Sequence, residues 1–98
     1  MNRKEVKTYK LIIIGRVQNV GFRYWFSKLA ISLDLNGYIQ NQKNINEVEA
    51  VVQGDIKNIL VIVEKSKTGP ELSLVQDVVQ SKIISTDTYS RFIVKYDN

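Results

Sequence analysis

The chain contains no cysteine and no histidine in 98 residues. Without cysteine there is no disulfide framework, no thiolate zinc site and no sulfur nucleophile. Without histidine, the commonest general base and a favoured transition-metal ligand are gone as well. Phosphatases that pass through a phosphocysteine or phosphohistidine intermediate are therefore excluded, and any chemistry must run on backbone donors, arginine, amides, carboxylates or hydroxyls. Long apolar runs are also missing: none approaches the ~20 residues that cross a bilayer. The first residues, Met1-Asn2-Arg3-Lys4-Glu5, are charged and lack the apolar segment of a signal peptide, so a cytoplasmic location is expected. Nor is there a block of like charge. The 14 Lys and Arg outnumber the 10 Asp and Glu, giving a formal charge of +4, and the cations are spread from Arg3 to Lys95. That distribution reads as a solvated surface with a general bias toward anionic partners.

What is present suits one core: the hydrophobic fraction is 44% and the charged fraction 24%. Residues 1–98 are expected to form a single domain without repeat or linker. Residues 7–14, rich in β-branched and aromatic side chains, read as a first strand. Phe22, Phe26, Leu29, Ala30 and Leu33 then recur at the spacing of one helix face. Asp34-Leu35-Asn36-Gly37 is a helix stop in which Asn36 or Gly37 suits a left-handed cap. Residues 38–42 read as a second strand, Lys43-Asn44-Ile45-Asn46 as a turn and residues 47–53 as a third strand, where Val48, Ala50 and Val52 alternate with a mostly polar set. Asp55 is placed as the N-cap of a second helix whose inward stripe is Ile56, Ile59, Leu60 and Val63. Lys65, Lys67, Gly69 and Pro70 end it. A fourth strand spans residues 75–84, and Phe92-Ile93-Val94-Lys95-Tyr96 makes a terminal strand.

This order gives an α+β fold: a ferredoxin-like βαββαβ two-layer sandwich, its antiparallel sheet carrying two helices on one face and a short C-terminal strand. Phe22, Phe26, Tyr38 and Phe92 are expected in the core, with Trp25 at its edge. The fold hosts many functions, so function has to come from a site.

The candidate site is Gly15-Arg16-Val17-Gln18-Asn19-Val20-Gly21-Phe22-Arg23. It follows the apolar run Leu11-Ile12-Ile13-Ile14 and leads into the first helix. Unpaired N–H groups at a helix N-terminus attract phosphate, and a turn of alternating handedness adds converging donors. Arg23 offers a planar, permanently charged fork for two phosphate oxygens. Phosphate chemistry is the leading reading.

The nonapeptide resembles the acylphosphatase signature Gly-Arg-Val-Gln-Gly-Val-Gly-Phe-Arg, departing from it at Asn19. A second family motif, Gly-Trp-Val-x-Asn, is echoed by Gly37-Tyr38-Ile39-Gln40-Asn41. Further echoes are Val48-Glu49-Ala50-Val51-Val52-Gln53-Gly54, Gly69-Pro70 and Phe92-Ile93-Val94-Lys95-Tyr96. The resemblance implies metal-independent hydrolysis of the carboxyl-phosphate bond of acyl phosphates, with no cofactor. It implies that the loop of Gln18, Asn19, Val20, Gly21 and Phe22, with Arg23, binds the phosphoryl group, and that Asn41 orients the attacking water. The implied partners are a small-molecule acyl phosphate, and inorganic phosphate or sulfate as product or analogue. No nucleic acid or membrane is implied, and a monomer is expected.

That chemistry suits a chain without histidine. A carboxylate leaving group is a weak base that needs no general acid. Phosphoryl transfer asks mainly for positioning and for charge stabilisation on the equatorial oxygens. Gly21 is expected to supply a backbone conformation closed to most residues, Gly15 a strand-to-loop bend and Gly37 the helix exit. Arg16 is read either as a loop contact or as a general electrostatic contribution. Asn19 stands where the family usually has glycine, and asparagine is the next most tolerant of left-handed backbone, so the loop still forms.

Two other readings compete. An RNA-recognition module of the same fold would present stacked aromatics on its central strands. That signature is absent here, and Glu47 and Glu49 oppose phosphate binding. A non-catalytic anion-binding or accessory acylphosphatase-like domain would keep the loop without turnover.

Overall fold

The computed structural model describes residues 5–84 and 87–96. Most of the charged start, residues 1–4, lies outside them. Seven elements follow in order: β1 (Val6–Arg16), α1 (Phe22–Ser32), β2 (Asn36–Asn41), β3 (Glu47–Asp55), α2 (Ile56–Ser66), β4 (Leu74–Lys82) and β5 (Phe92–Lys95). The sheet order is β4-β1-β3-β2-β5. β1 runs antiparallel to both β3 and β4, and β2 antiparallel to β3. The expected ferredoxin-like arrangement is therefore present. β5 adds to it beside β2 in parallel, which makes the sheet mixed.

Alternation along the strands sorts side chains between two faces. Leu11 and Ile13 from β1, Ile39 from β2, and Val48, Ala50 and Val52 from β3 meet Phe22, Phe26 and Ala30 of α1 and Ile59, Ile62 and Val63 of α2 in one core cluster. Phe26 stacks on Phe22 at 6.3 Å and meets Phe92 in a tilted pair at 5.7 Å, so the aromatic contacts tie α1 to the C-terminal strand. No helix among the described residues is long and apolar enough to cross a membrane.

Three expectations change. The inward face of α2 is Ile59, Ile62, Val63 and Ser66, while Leu60 stays more than half exposed at 54%. Aliphatic residues at 56, 59, 60, 62 and 63 support two overlapping stripes, and packing on the sheet selects the one rotated toward Ile62. Tyr38 is not in the core. Ile39 points there instead, and Tyr38 lies half-buried on the opposite face, edge-on to Tyr89 at 6.2 Å. The left-handed residue that ends α1 is Asp34 (φ 55°); Asn36 and Gly37 already belong to β2, with Gly37 paired to Val52.

Strand direction decides where a site can form. β1 and β2 both run opposite to β3, and β5 runs with β2. The C-terminal ends of β1, β2 and β5 therefore share one end of the sheet. There Ile14 pairs with Glu47, Asn41 with Val48 and Gln40 with Lys95.

Candidate active site

The loop between β1 and α1 is shaped by three backbone features. The β1–β4 register shifts between Ile14 and Gly15, and a side chain on Gly15 would collide with the Leu74 carbonyl oxygen. Asn19 takes the left-handed conformation expected of it, at φ 62°. Gly21, the residue preceding α1, is also left-handed at φ 78°, and a side chain there would meet only open space. Val17, 1% exposed, pins the loop to the core.

This geometry leaves donors unspent. Among the described residues, the backbone N–H groups of Gln18, Asn19, Val20 and Gly21 donate to no protein acceptor. The first bond of α1 runs from Trp25 N–H to Gly21 O at 3.0 Å, so the N–H groups of Phe22, Arg23 and Tyr24 have no helical acceptor. No side chain caps the helix and its first turn holds no acidic residue. The positive end of the helix dipole thus faces a gap that its own chain does not fill.

That gap is a hollow of about 130 Å³ lined by Val17, Asn19, Gly21, Phe22, Arg23, Tyr24, Asn41 and Tyr96. Arg23 and Asn41, 18 residues apart in the chain, thus share it. The Arg23 guanidinium is held from the far end of the sequence. Its Nη1 donates to Lys95 O at 3.1 Å, and its Cζ lies 4.8 Å from the centre of the Tyr96 ring. Asn41 is the last residue of β2, and its Oδ1 is buried without a hydrogen-bond partner. Leaving such an acceptor unpaired costs about 1–3 kcal/mol, and Ser66 Oγ on α2 is buried in the same state. Arg16 is exposed and lines a neighbouring depression with Gln18, Asn19, Ile45 and Asn46. Among the described residues, no group of three or more acidic side chains gathers where a metal ion could be held.

The family model for acylphosphatase matches residues 9–94. An acylphosphatase from Clostridium beijerinckii is 39% identical over 88 residues, covering 90% of this chain and 97% of the relative. The crystal structure of acylphosphatase from Bacillus subtilis aligns with a TM-score of 0.87 at 32% identity, covering 94% of this chain and 100% of that one. The acylphosphatase structure from Coxiella burnetii aligns with a TM-score of 0.88 at 31% identity, over 97% and 100% respectively. The chain belongs to the acylphosphatase family. It is thereby a hydrolase, and the family implies a small-molecule acyl phosphate as substrate.

Within this acylphosphatase fold, three contacts around the hollow are not legible in the sequence motifs. Neither the Lys95 carbonyl nor the Tyr96 ring was connected with Arg23, although the terminal pattern Phe92 to Tyr96 was visible. The side chain of Gln18 was not separated from its backbone. Its Nε2 turns away to donate to Gln42 O at 2.9 Å, Asn44 O at 3.2 Å and Glu47 O at 3.0 Å. What Gln18 can still offer an anion is its backbone N–H.

Proposed function

We propose that this acylphosphatase hydrolyses the carboxyl-phosphate bond of acyl phosphates without a metal ion, using the loop N–H groups and Arg23 as the phosphate seat and Asn41 as the water-orienting group. The observation that carries this reading is the shared hollow. Unpaired N–H donors of the β1–α1 loop, the Arg23 guanidinium on α1 and the partnerless carboxamide oxygen at the end of β2 line or border it.

The N–H groups of Gln18, Asn19, Val20, Gly21 and Phe22, with the Arg23 fork, hold the phosphoryl oxygens and stabilise the charge that spreads over them in a loose transition state. A small rotation of the Asn41 carboxamide presents Oδ1 to a water molecule, which donates one hydrogen to it and aims its lone pair at phosphorus. The oxygen–phosphorus bond to water forms as the bond to the acyl oxygen breaks. The carboxylate departs with the electron pair. The proton lost by water passes to a phosphoryl oxygen of the substrate, so no enzyme side chain has to titrate.

The test is hydrolysis of acetyl phosphate in the presence of a chelator by wild type, Arg23→Ala and Asn41→Ala. Wild type should turn over, and each variant should lose about 10²–10³-fold or more. A requirement for added metal, or full activity in either variant, would overturn the mechanism.

A further inference from the structure

The turn between β2 and β3 turns three carbonyl oxygens toward one point. Gln42 O, Asn44 O and Glu47 O all lie within 3.2 Å of Gln18 Nε2. Clustered carbonyls bring the negative ends of their dipoles together, and the arrangement holds only around a donor. A primary amide suits the socket: it has two hydrogens for the three acceptors and no charge to desolvate. The turn's own ties are few. Gln42 N–H donates to Glu47 O at 3.2 Å, Glu47 N–H to Asn44 O at 3.0 Å, Asn46 N–H to Asn44 Oδ1 at 2.9 Å and Asn44 Nδ2 to Glu47 Oε2 at 3.4 Å. One further bond, Gly15 N–H to Asn46 O at 2.8 Å, joins this turn to the end of β1 just before the loop.

Gln42 directly follows Asn41. Asn41 Oδ1 has no hydrogen bond that would fix the carboxamide's place. Its position against the loop is therefore set by the β2–β3 ladder and by whatever holds the Gln42 peptide. On the other side, Gln18 sits between buried Val17 and left-handed Asn19, inside the candidate anion seat. One side chain thus bridges the segment that would grip phosphate and the strand end that carries the proposed water-orienting amide.

We propose that Gln18 is a positioning residue: its side-chain amide holds the Asn41 strand end at working distance from the phosphate seat. The proposal rests on the hydrolytic reading above. The Gln18 side-chain amide is spent on the three carbonyls and acts through Asn41.

Four proteins test it: wild type, Gln18→Leu, Asn41→Ala and the double variant, assayed with acetyl phosphate and with inorganic phosphate as competitive inhibitor. Gln18→Leu fills the space without donors. It should lower kcat by about 10–100-fold, the cost of a misplaced reacting group, while the inhibition constant for phosphate moves less than about threefold. In the Asn41→Ala background the same substitution should cost little, because the group being positioned is already gone. Gln18→Glu supplies a second readout in a protein of nearly the same shape. Its carboxylate faces three carbonyl oxygens when ionised and can donate when protonated. Its kcat should therefore fall as pH rises through the carboxyl pKa, with an inflection absent from wild type.

If Gln18→Leu costs as much in the Asn41→Ala background as in wild type, if phosphate inhibition weakens in step with kcat, or if the Gln18→Glu profile matches wild type, the positioning role is wrong. An inactive wild type would instead sink the hydrolytic reading, and this proposal with it. The two failures are separated by the first measurement.

Discussion

The two helices begin at opposite ends of the sheet and treat their N-termini in opposite ways. At α2, Asp55 sits in an extended conformation (φ −66°, ψ 133°) and its Oδ1 accepts from Lys57 N–H at 2.9 Å. The chain thus caps that helix with a carboxylate of its own. At α1 the equivalent position is Gly21, left-handed and without a side chain to cap the helix; both first turns lack an acidic residue and carry one cation, Arg23 in α1 and Lys57 in α2. Both helices are 11 residues long, so their dipoles are comparable in origin. The difference lies in who satisfies the exposed N–H groups. One helix start is closed by its own sequence, and the other is left open.

Exchanging the two solutions gives the largest expected effect. Gly21→Asp places a carboxylate where the hollow is open, and asparagine-like tolerance of left-handed backbone lets it fit. Repulsion between unit charges about 4 Å apart at an effective dielectric of 20 is about 4 kcal/mol, so phosphate binding should weaken roughly a thousandfold. Competitive inhibition by inorganic phosphate measures it, and unchanged inhibition would mean that the anion does not sit at this helix mouth. The converse substitution, Asp55→Ala, uncaps α2 at a cost of about 1 kcal/mol. That should lower Tm by about 4–8 °C in thermal unfolding and leave turnover unchanged, since the cap lies at the other end of the sheet. A loss of activity without loss of stability would erase the distinction between the two helix starts.

Asn19→Gly sharpens the comparison within the loop. Left-handed backbone at φ 62° suits glycine at least as well. kcat/KM should be retained or raised, with stability changing by less than about 1 kcal/mol. Abolished turnover would show that the Asn19 side chain takes part in the reaction. The mildest effect lies away from both helix starts, on the open face of the sheet. Burial there raises the Tyr38 hydroxyl above its ordinary pKa, and the nearby Glu49 carboxylate and Tyr89 add to the shift. Below the ordinary tyrosine range both folded and unfolded chains keep the proton, and stability is whole. As pH rises past that range, the unfolded chain ionises first and stability falls. Urea unfolding above pH ~10, the ordinary tyrosine value, should show a shallower decline for Tyr38→Phe than for wild type; parallel declines would remove Tyr38 as the cause.

The legible parts of the site were the local ones. Strand, loop, left-handed Asn19, Gly21 and the helix carrying Phe22 and Arg23 occupy consecutive residues, so their motif and periodicity lie together in the sequence. Asn41 was legible through a second short motif. The misreadings came where one pattern served two faces. In α2 the aliphatic residues permit two stripes, and only packing against β1, β3 and β4 turns Leu60 outward. In β2 the adjacent Tyr38 and Ile39 are both apolar enough for the core, and the register with β3 gives that place to Ile39.

By itself, then, the order of residues determined the element order, the missing histidine and cysteine chemistry, the family, and a helix start left without a cap. Tertiary structure decided what surrounds that opening. The Lys95 carbonyl and Tyr96 ring meet Arg23 across more than 70 residues of chain, and the Gln18 amide reaches a turn more than 20 residues away. Such contacts follow from strand direction and sheet order, which bring three chain segments to one end of the sheet. No local periodicity encodes them, because hydrogen bonds between a side chain and a distant carbonyl depend on where the backbone passes and scarcely on which residue supplies the oxygen.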